Sequence, residues 1–336
     1  MLLPTLPAGL VGGCLALALA APAPTVPAGQ LQDGPQEVAD EAPIPDGPGE
    51  LVTLYHDNGK VARTGRLFKG RRDGLWRGWH PNGRKAYEGA FSEYEKIGHW
   101  TYWRKDGGPL SEGDWLHGQR TGDWTFWHPD GGPVRERSSY LLGERHGEFR
   151  AWFANGEPQA SGEYRLGRKI GAWINYTVDG TKLAEGQFQN NQQTGNWVRY
   201  HPNGTKYFEG QFERGKESGD WKYWHENGQL EGKGRYVDGR PIGPWVGFFD
   251  SGQKKYDCSY VGGVKHGDYS EWFNNGQKKI ETVLVNGKLT GDVVFFNRDG
   301  TINEADSGKY IDGKKDGVGP AGGGPKKKGP TVKRNG

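Results

Sequence analysis

Glycine returns in this chain on a fixed beat. Mostly as Asn-Gly and Asp-Gly pairs, it falls at Gly59, Gly83, Gly107, Gly131, Gly156, Gly180, Gly204, Gly228, Gly252, Gly276 and Gly300, every interval 24 residues except one of 25. A second series keeps the same time: Gly74, Gly98, Gly122, Gly147, Gly171, Gly195, Gly219, Gly243, Gly267 and Gly291. Self-similarity at one period over about 250 residues is the signature of a repeat architecture. It rules out an ordinary globular domain.

Three aromatic columns follow that period. The first lies two residues after the second glycine and holds Trp76, Trp100, Trp124, Phe149, Trp173, Trp197, Trp221, Trp245 and Tyr269. The second, three residues further on, holds Trp79, Trp103, Trp127, Trp152, Tyr176, Tyr200, Trp224, Phe248, Trp272 and Phe296. The third precedes the second glycine, at Phe68, Phe91, Trp115, Tyr140, Tyr164, Phe188, Phe212, Tyr236 and Tyr260. All 14 tryptophans fall in these columns. None breaks the pattern, so all are expected in the core.

One clean copy, "GDWKYWHENGQLEGKGRYVDGRPIG", shows the unit. Trp221 to His225 reads as an aromatic strand, Glu226-Asn227-Gly228 as a turn and Leu230 to Val237 as the return strand. Asp238-Gly239 makes the opposite turn, and Gly243 opens the next copy. Each repeat is one β-hairpin. Two residues before each third-column ring a small residue recurs, as at Gly89, Gly113, Gly162, Gly186, Gly210 and Gly234. Residues two apart share a face, so these glycines leave room for a ring from a neighbouring strand. Cys258 takes the same place opposite Tyr260, as a small buried filler.

The fold class expected is all-β: an elongated antiparallel meander of about ten hairpins, a single twisted sheet with no helix. Twenty strands at roughly 4.8 Å each would run on the order of 95 Å. A lone hairpin cannot bury its ring face, so neighbours must. The ends read as caps: Leu51 to Tyr55 lacks the Trp pair, and Val293 replaces Trp.

The flanks differ from the array. Residues 1–23 carry an apolar run ending in Ala18-Leu19-Ala20 and read as an export signal, although no Lys or Arg precedes the run. The run continues past Cys14, unlike the polar stretch that follows a lipidated cysteine. Residues 24–50 form a Pro/Ala linker whose second half bears Asp33, Glu37, Asp40, Glu41, Asp46 and Glu50 with no Lys or Arg. The repeats occupy 51–318, and 319–336 is a Gly/Lys tail. Net charge is only +3, so no global field argues for nucleic acid or membrane.

"GQFERGKESGDW" and "YVGGVKHGDY" resemble MORN repeats in their spacing of aromatic, Gly and basic-x-Gly. The added "WxxW/YxxNG" half looks like the bacterial variant of that repeat, found in proteins often described as antitoxin components of toxin–antitoxin systems. The resemblance spans residues 51–318 and recurs some ten times. It implies a non-enzymatic scaffold for proteins and, in some families, for membrane lipid.

"GWHPNGRK" raises the question of a site. The column of His80 also holds His56, Arg104, His128, Phe153, Thr177, His201, His225, Phe249, Phe273 and Asn297. Histidines in adjacent copies, roughly 9.6 Å apart, would close on a zinc only under strain. His80 is therefore read as the start of a turn, with Pro81, Pro129 and Pro202 fixing the next φ. No catalytic motif, metal set or cofactor loop is recognised, and the carboxylates of Glu209, Glu231 and Asp220 read as solvated. The expected site residues are structural: the aromatics Trp76, Trp79, Trp100, Trp103, Trp124, Trp127, Trp221 and Trp224, and the turn glycines Gly83, Gly107, Gly131, Gly204 and Gly228. Three functions follow, none enzymatic: an exported scaffold binding an unidentified protein, a cytoplasmic antitoxin-type partner of one toxin, or a binder of membrane or anionic polymer. The last would use weak contacts from Lys326, Lys327, Lys328, Lys333 and Arg334, with no specific nucleic acid.

Overall fold

The computed structural model describes residues 44–317. The export signal, Cys14, most of the linker and the basic tail lie outside the described residues. Those described form twenty-three strands and no helix. The fold is an all-β antiparallel hairpin array, and it divides into two compact units at Gly204.

The first unit contains β1 (Glu50–Tyr55), β2 (Val61–Phe68), β3 (Arg71–Trp79), β4 (Lys85–Ser92), β5 (Glu95–Trp103), β6 (Pro109–Leu116), β7 (Gln119–Trp127), β8 (Val134–Leu141), β9 (Glu144–Trp152), β10 (Pro158–Arg165), β11 (Arg168–Tyr176), β12 (Lys182–Gln189) and β13 (Gln192–Tyr200). Each strand pairs antiparallel with the next. The expected linker boundary shifts here: Glu50 already belongs to β1. Arg66 holds the approach to it through Asp46, the Pro45 carbonyl and the Gly49 carbonyl.

The second unit contains β14 (Lys206–Glu213), β15 (Lys216–Trp224), β16 (Leu230–Val237), β17 (Arg240–Phe248), β18 (Lys254–Val261), β19 (Val264–Trp272), β20 (Lys278–Val285), β21 (Lys288–Phe295), β22 (Gly308–Ile311) and β23 (Lys314–Lys315). It too is a meander of neighbours.

Two turn chemistries alternate. At one edge two residues suffice, both left-handed, as in Asp238 (φ 51°) and Gly239 (φ 77°). That is the turn whose twist matches paired strands. At the other edge Gly83 donates its N–H to the His80 carbonyl at 2.8 Å, and only the glycine is left-handed. This is a type I turn closed by an αL residue.

The copy boundary differs from the sequence reading. β15 begins at Lys216, five residues before Trp221, and runs straight through Gly219. The two-residue turn leaves no slack, so the next strand starts at once. Gly219 has a φ of 70° inside that strand, and the register against β14 breaks between Glu209 and Gln211. The second glycine series is thus a line of bulges, which bend a strand and re-aim a side chain.

The bulge lays the next ring across the neighbouring strand. A Cβ built on Gly89 would stand 2.1 Å from Trp100, and one on Gly210 2.1 Å from Trp221. Where the glycine is replaced, the facing ring is smaller: Ser138 pairs with Phe149 and Cys258 with Tyr269, and on β20, where Thr282 stands in the glycine's place, the next column position is Val293. Cys258 therefore does not lie opposite Tyr260; its ladder neighbours are Trp245 and Tyr269. Trp76, Trp100, Trp124, Trp173 and Trp221 are at most 2% exposed. Edge-to-face contacts hold the column, such as Phe91 on Trp100 at 4.9 Å and Phe212 on Trp221 at 5.3 Å. The indole N–H of Trp100 is satisfied by the Ala90 carbonyl at 3.1 Å.

Candidate binding faces

The ring column makes one face of each unit its core face. Beside it, in the first unit, lies a cross-strand row in which cation and ring alternate. Arg72 pairs in register with Leu67, Lys96 with Phe91, Arg120 with Trp115, Arg145 with Tyr140 and Lys169 with Tyr164. Each cation is half-buried on rings. Lys96 Nζ is 4.5 Å from the Trp100 centroid, Arg120 Cζ 4.6 Å from Trp124 and Lys169 Nζ 4.0 Å from Trp173. Backbone fixes the row: the N–H of Gly118 bonds the Lys96 carbonyl at 3.1 Å, that of Gly143 the Arg120 carbonyl at 3.0 Å and that of Gly167 the Arg145 carbonyl at 2.8 Å.

Acidic partners are scarce here. Arg145 has one, Glu136, which accepts from its Nη2 at 2.7 Å. Burial works against that guanidinium, but Glu136 holds it above its ordinary pKa. Lys96 donates to the Tyr102 hydroxyl at 2.7 Å instead. Burial, with the charges of Arg120 and Arg72, lowers its pKa; burial alone lowers that of Lys169.

The opposite face neutralises itself. Glu88 accepts from Arg77 and Lys85, each at 2.9 Å. Burial opposes its charge, but those two donors hold the carboxyl below its usual value. Glu209 sits likewise between Lys206 at 2.7 Å and Lys222 at 2.9 Å, so it is a paired carboxylate and not the solvated one expected. Glu231 is half-buried, and Asp220 is exposed beside Arg235.

The second aromatic column lies on this opposite face. Trp76 to Trp79 is an odd step, and odd steps along a strand change face. Trp79, Trp103, Trp127, Trp152, Trp224 and Trp272 are only half-buried, whereas the sequence places every tryptophan in the core. A single-layer sheet has only one ring-packed face to offer. Lysine stems brace these indoles, as Lys85 does Trp103 at 5.3 Å and Lys206 does Trp224 at 5.5 Å.

His80 belongs to the edge between the faces. Its Nε2 lies 2.9 Å from the Trp103 carbonyl, so that nitrogen carries the proton and donates. His56 reaches the Trp79 carbonyl at 2.9 Å, His128 that of Trp152 at 3.1 Å and His225 that of Phe248 at 3.0 Å. Each histidine stitches its turn to the next copy. Asparagine does the same, a role the sequence reading missed. Asn82 Nδ2 donates to the Lys105 carbonyl at 2.6 Å and Asn227 to that of Asp250 at 2.6 Å. The same Asn82 accepts from the Arg84 N–H at 3.1 Å. Its signal was the preference for Asn over Asp ahead of the turn glycine. Gly83, Gly107, Gly131 and Gly228 take left-handed φ values of 83° to 99° there, and Gly204 takes 84°.

Two copies of the repeat match a known family. The family described as "MORN repeat variant" matches residues 193–214 and 217–238. No curated protein matches the chain. Solved structures similar to it include that of TcdB2-TccC3-TEV, at 11% identity and a TM-score of 0.13, with 74% of this chain and 20% of that one covered. The Photorhabdus luminescens Tc holotoxin pore is similar at 13% identity and a TM-score of 0.15, covering 76% of this chain and 19% of that one. The chain thus spans about a fifth of the length of these structures' chains.

Proposed function

We propose that the chain is a non-enzymatic repeat scaffold that binds another protein, exported to the cell envelope or beyond. The observation that carries this reading is the partly exposed row Trp79, Trp103, Trp127 and Trp152. Tryptophan flanked by cations is the residue type that dominates binding hot spots. Here it recurs at roughly 9.6 Å per copy, two strand spacings, which suits an extended partner surface. The MORN-type repeat supports the scaffold reading, and the leader supports export.

The test is crosslinking of the tagged full chain in its native cell, with the N-terminus of the recovered protein read on the same sample. The reading expects envelope proteins captured with a chain starting near Ala21. One stoichiometric small partner on a chain that keeps Met1 would instead make it an antitoxin-type protein of the cytoplasm.

A further inference from the structure

Among the described residues β1 pairs with β2 and with nothing on its other side. Proteins blunt such edges by making them short or charged. The chain's last strands follow that rule: β22 has four residues and β23 two, with Lys309, Lys314 and Lys315 among them. β1 departs from it. It has six residues without Lys, Arg or Pro, and Leu51, Leu54 and Tyr55 are 52%, 43% and 63% exposed. The residues just before it are drawn the other way, because Arg66 on β2 holds Asp46 and the Pro45 and Gly49 carbonyls.

The turn shows which backbone groups of β1 are free. His56 donates its N–H to the Lys60 carbonyl at 2.8 Å, and its carbonyl accepts from the Gly59 N–H at 2.9 Å. Both groups of His56 therefore point inward, across the hairpin. Direction alternates along a strand, so Leu54 and Val52 also point inward, while Tyr55, Thr53 and Leu51 point out of the sheet edge. The Val52 carbonyl accordingly accepts from the Thr64 hydroxyl of β2 at 3.0 Å. Side chains alternate too. Val52 packs on the ring cluster of Trp76, Phe91 and Trp100, and Leu54 shares its face; Leu51, Thr53 and Tyr55 take the opposite face.

We propose that the open edge of β1 is the seat of a second copy of this chain, paired antiparallel about a twofold axis at Thr53. The strand complements itself in that register. Leu51 stands opposite Tyr55 of the second copy, Val52 opposite Leu54 and Thr53 opposite Thr53. Apolar pairs thus form on both faces, and every outward residue meets an outward residue, with which it exchanges both backbone bonds. A slip of two residues either way sets Leu54 against Glu50 or Val52 against His56. Pairing uses up both free edges, so association stops at two. The contact goes beyond capture of another protein: it sets the tryptophan-bearing faces of two copies on the same side of one sheet.

Sedimentation of the full chain through the micromolar range tests this, because so small a contact makes a weak dimer. The proposal expects a monomer–dimer equilibrium. Thr53→Pro removes an outward N–H and no bond to β2, as an edge position allows. It should keep the parent's melting temperature and weaken the dimer at least about tenfold. Thr53→Lys and Thr53→Glu each set like charges face to face and should be monomeric alone. Their equimolar mixture should dimerise again, since residue 53 meets itself only at the axis. That rescue decides the matter if Thr53→Pro lowers the melting temperature. A parent that stays monomeric overturns the proposal, as do growth past a dimer, a dimer indifferent to a folded Thr53→Pro chain and a mixture that stays monomeric. Slow hydrogen exchange at Leu51, Thr53 and Tyr55 in a monomeric parent would give the edge to another segment of the same chain. Capture of a partner protein, measured on the Thr53→Pro chain, reports on the scaffold reading separately.

Discussion

The two units run the same hairpin with different cargo. In the first, residues 72, 96, 120, 145 and 169 are all Arg or Lys, and only the last copy, Gln193, is neutral. In the second, the equivalent positions are Glu217, Pro241, Lys265 and Leu289. Their carbonyls keep their task regardless: those of Glu217, Pro241, Lys265 and Leu289 still accept the N–H of Gly239, Gly263, Gly287 and Gly313. Backbone bonds, turn glycines and bulges carry the frame, so the side chains of this row are free to differ. The ring column contrasts as well. Tryptophan fills most of it in the first unit, while in the second it passes from Trp221 and Trp245 to Tyr269 and Val293. The opposing residue grows in step, from Gly210 and Gly234 to Cys258 and Thr282. Volume is conserved across the pair, as a close-packed core requires.

The largest expected effect separates the units by pH. Burial raises the hydroxyl pKa of Tyr223, Tyr236, Tyr256, Tyr260 and Tyr269 in the second unit, Tyr256 to about 12. The first unit has Tyr102, also pushed to about 12, with Tyr164 and Tyr200. These folded values exceed the unfolded one of about 10. The stability they contribute is complete below about pH 10 and lost as pH rises toward 12 and beyond. The second unit should therefore unfold first in alkali, seen as tyrosinate absorbance and as hydrogen exchange resolved by unit.

Next comes the ring itself. Trp221→Ala should cost about 3–5 kcal/mol in denaturant unfolding, with lost exchange protection centred on the second unit. Equal loss in both units would mean that they do not unfold separately.

The paired column gives a sharper test. Gly89→Ser should cost about 1–3 kcal/mol by crowding Trp100. Adding Trp100→Phe recreates the Ser138 and Phe149 pair and should recover part of that loss, where independent sites would add their costs. Thermal unfolding of the two single variants and the double decides between them.

The smallest effect concerns the stitches. Asn82→Asp removes the donor to the Lys105 carbonyl and should cost about 1 kcal/mol in the first unit. Asn227→Asp should cost the same in the second, because this edge does not differ between them.

Much of this was legible in the sequence. The glycine beat and ring columns specify hairpins, because only glycine takes left-handed backbone freely and only paired strands can use it at such intervals. The room over Gly89 was also readable, from the side-chain period of two. What escaped was three-dimensional. Gly219 reads as a boundary until the turn at Asp238-Gly239 is seen to leave the following strand no slack. The second tryptophan column reads as core until its odd offset is applied to a sheet with two unlike faces. The pairing of Glu209 with Lys222 joins residues on adjacent strands, which no local pattern shows, whereas its pairing with Lys206 three residues earlier on the same strand was within reach of the sequence.

The central claim is that the frame and the recognition surface are separate. Its most direct test is partner capture by a full chain whose opposite-face row is emptied, Trp103→Ser, Trp127→Ser and Trp152→Ser, with its melting temperature measured on the same sample. The account predicts a cooperative transition close to the parent's and loss of the captured protein. Undiminished capture, or collapse of the first unit, would contradict it.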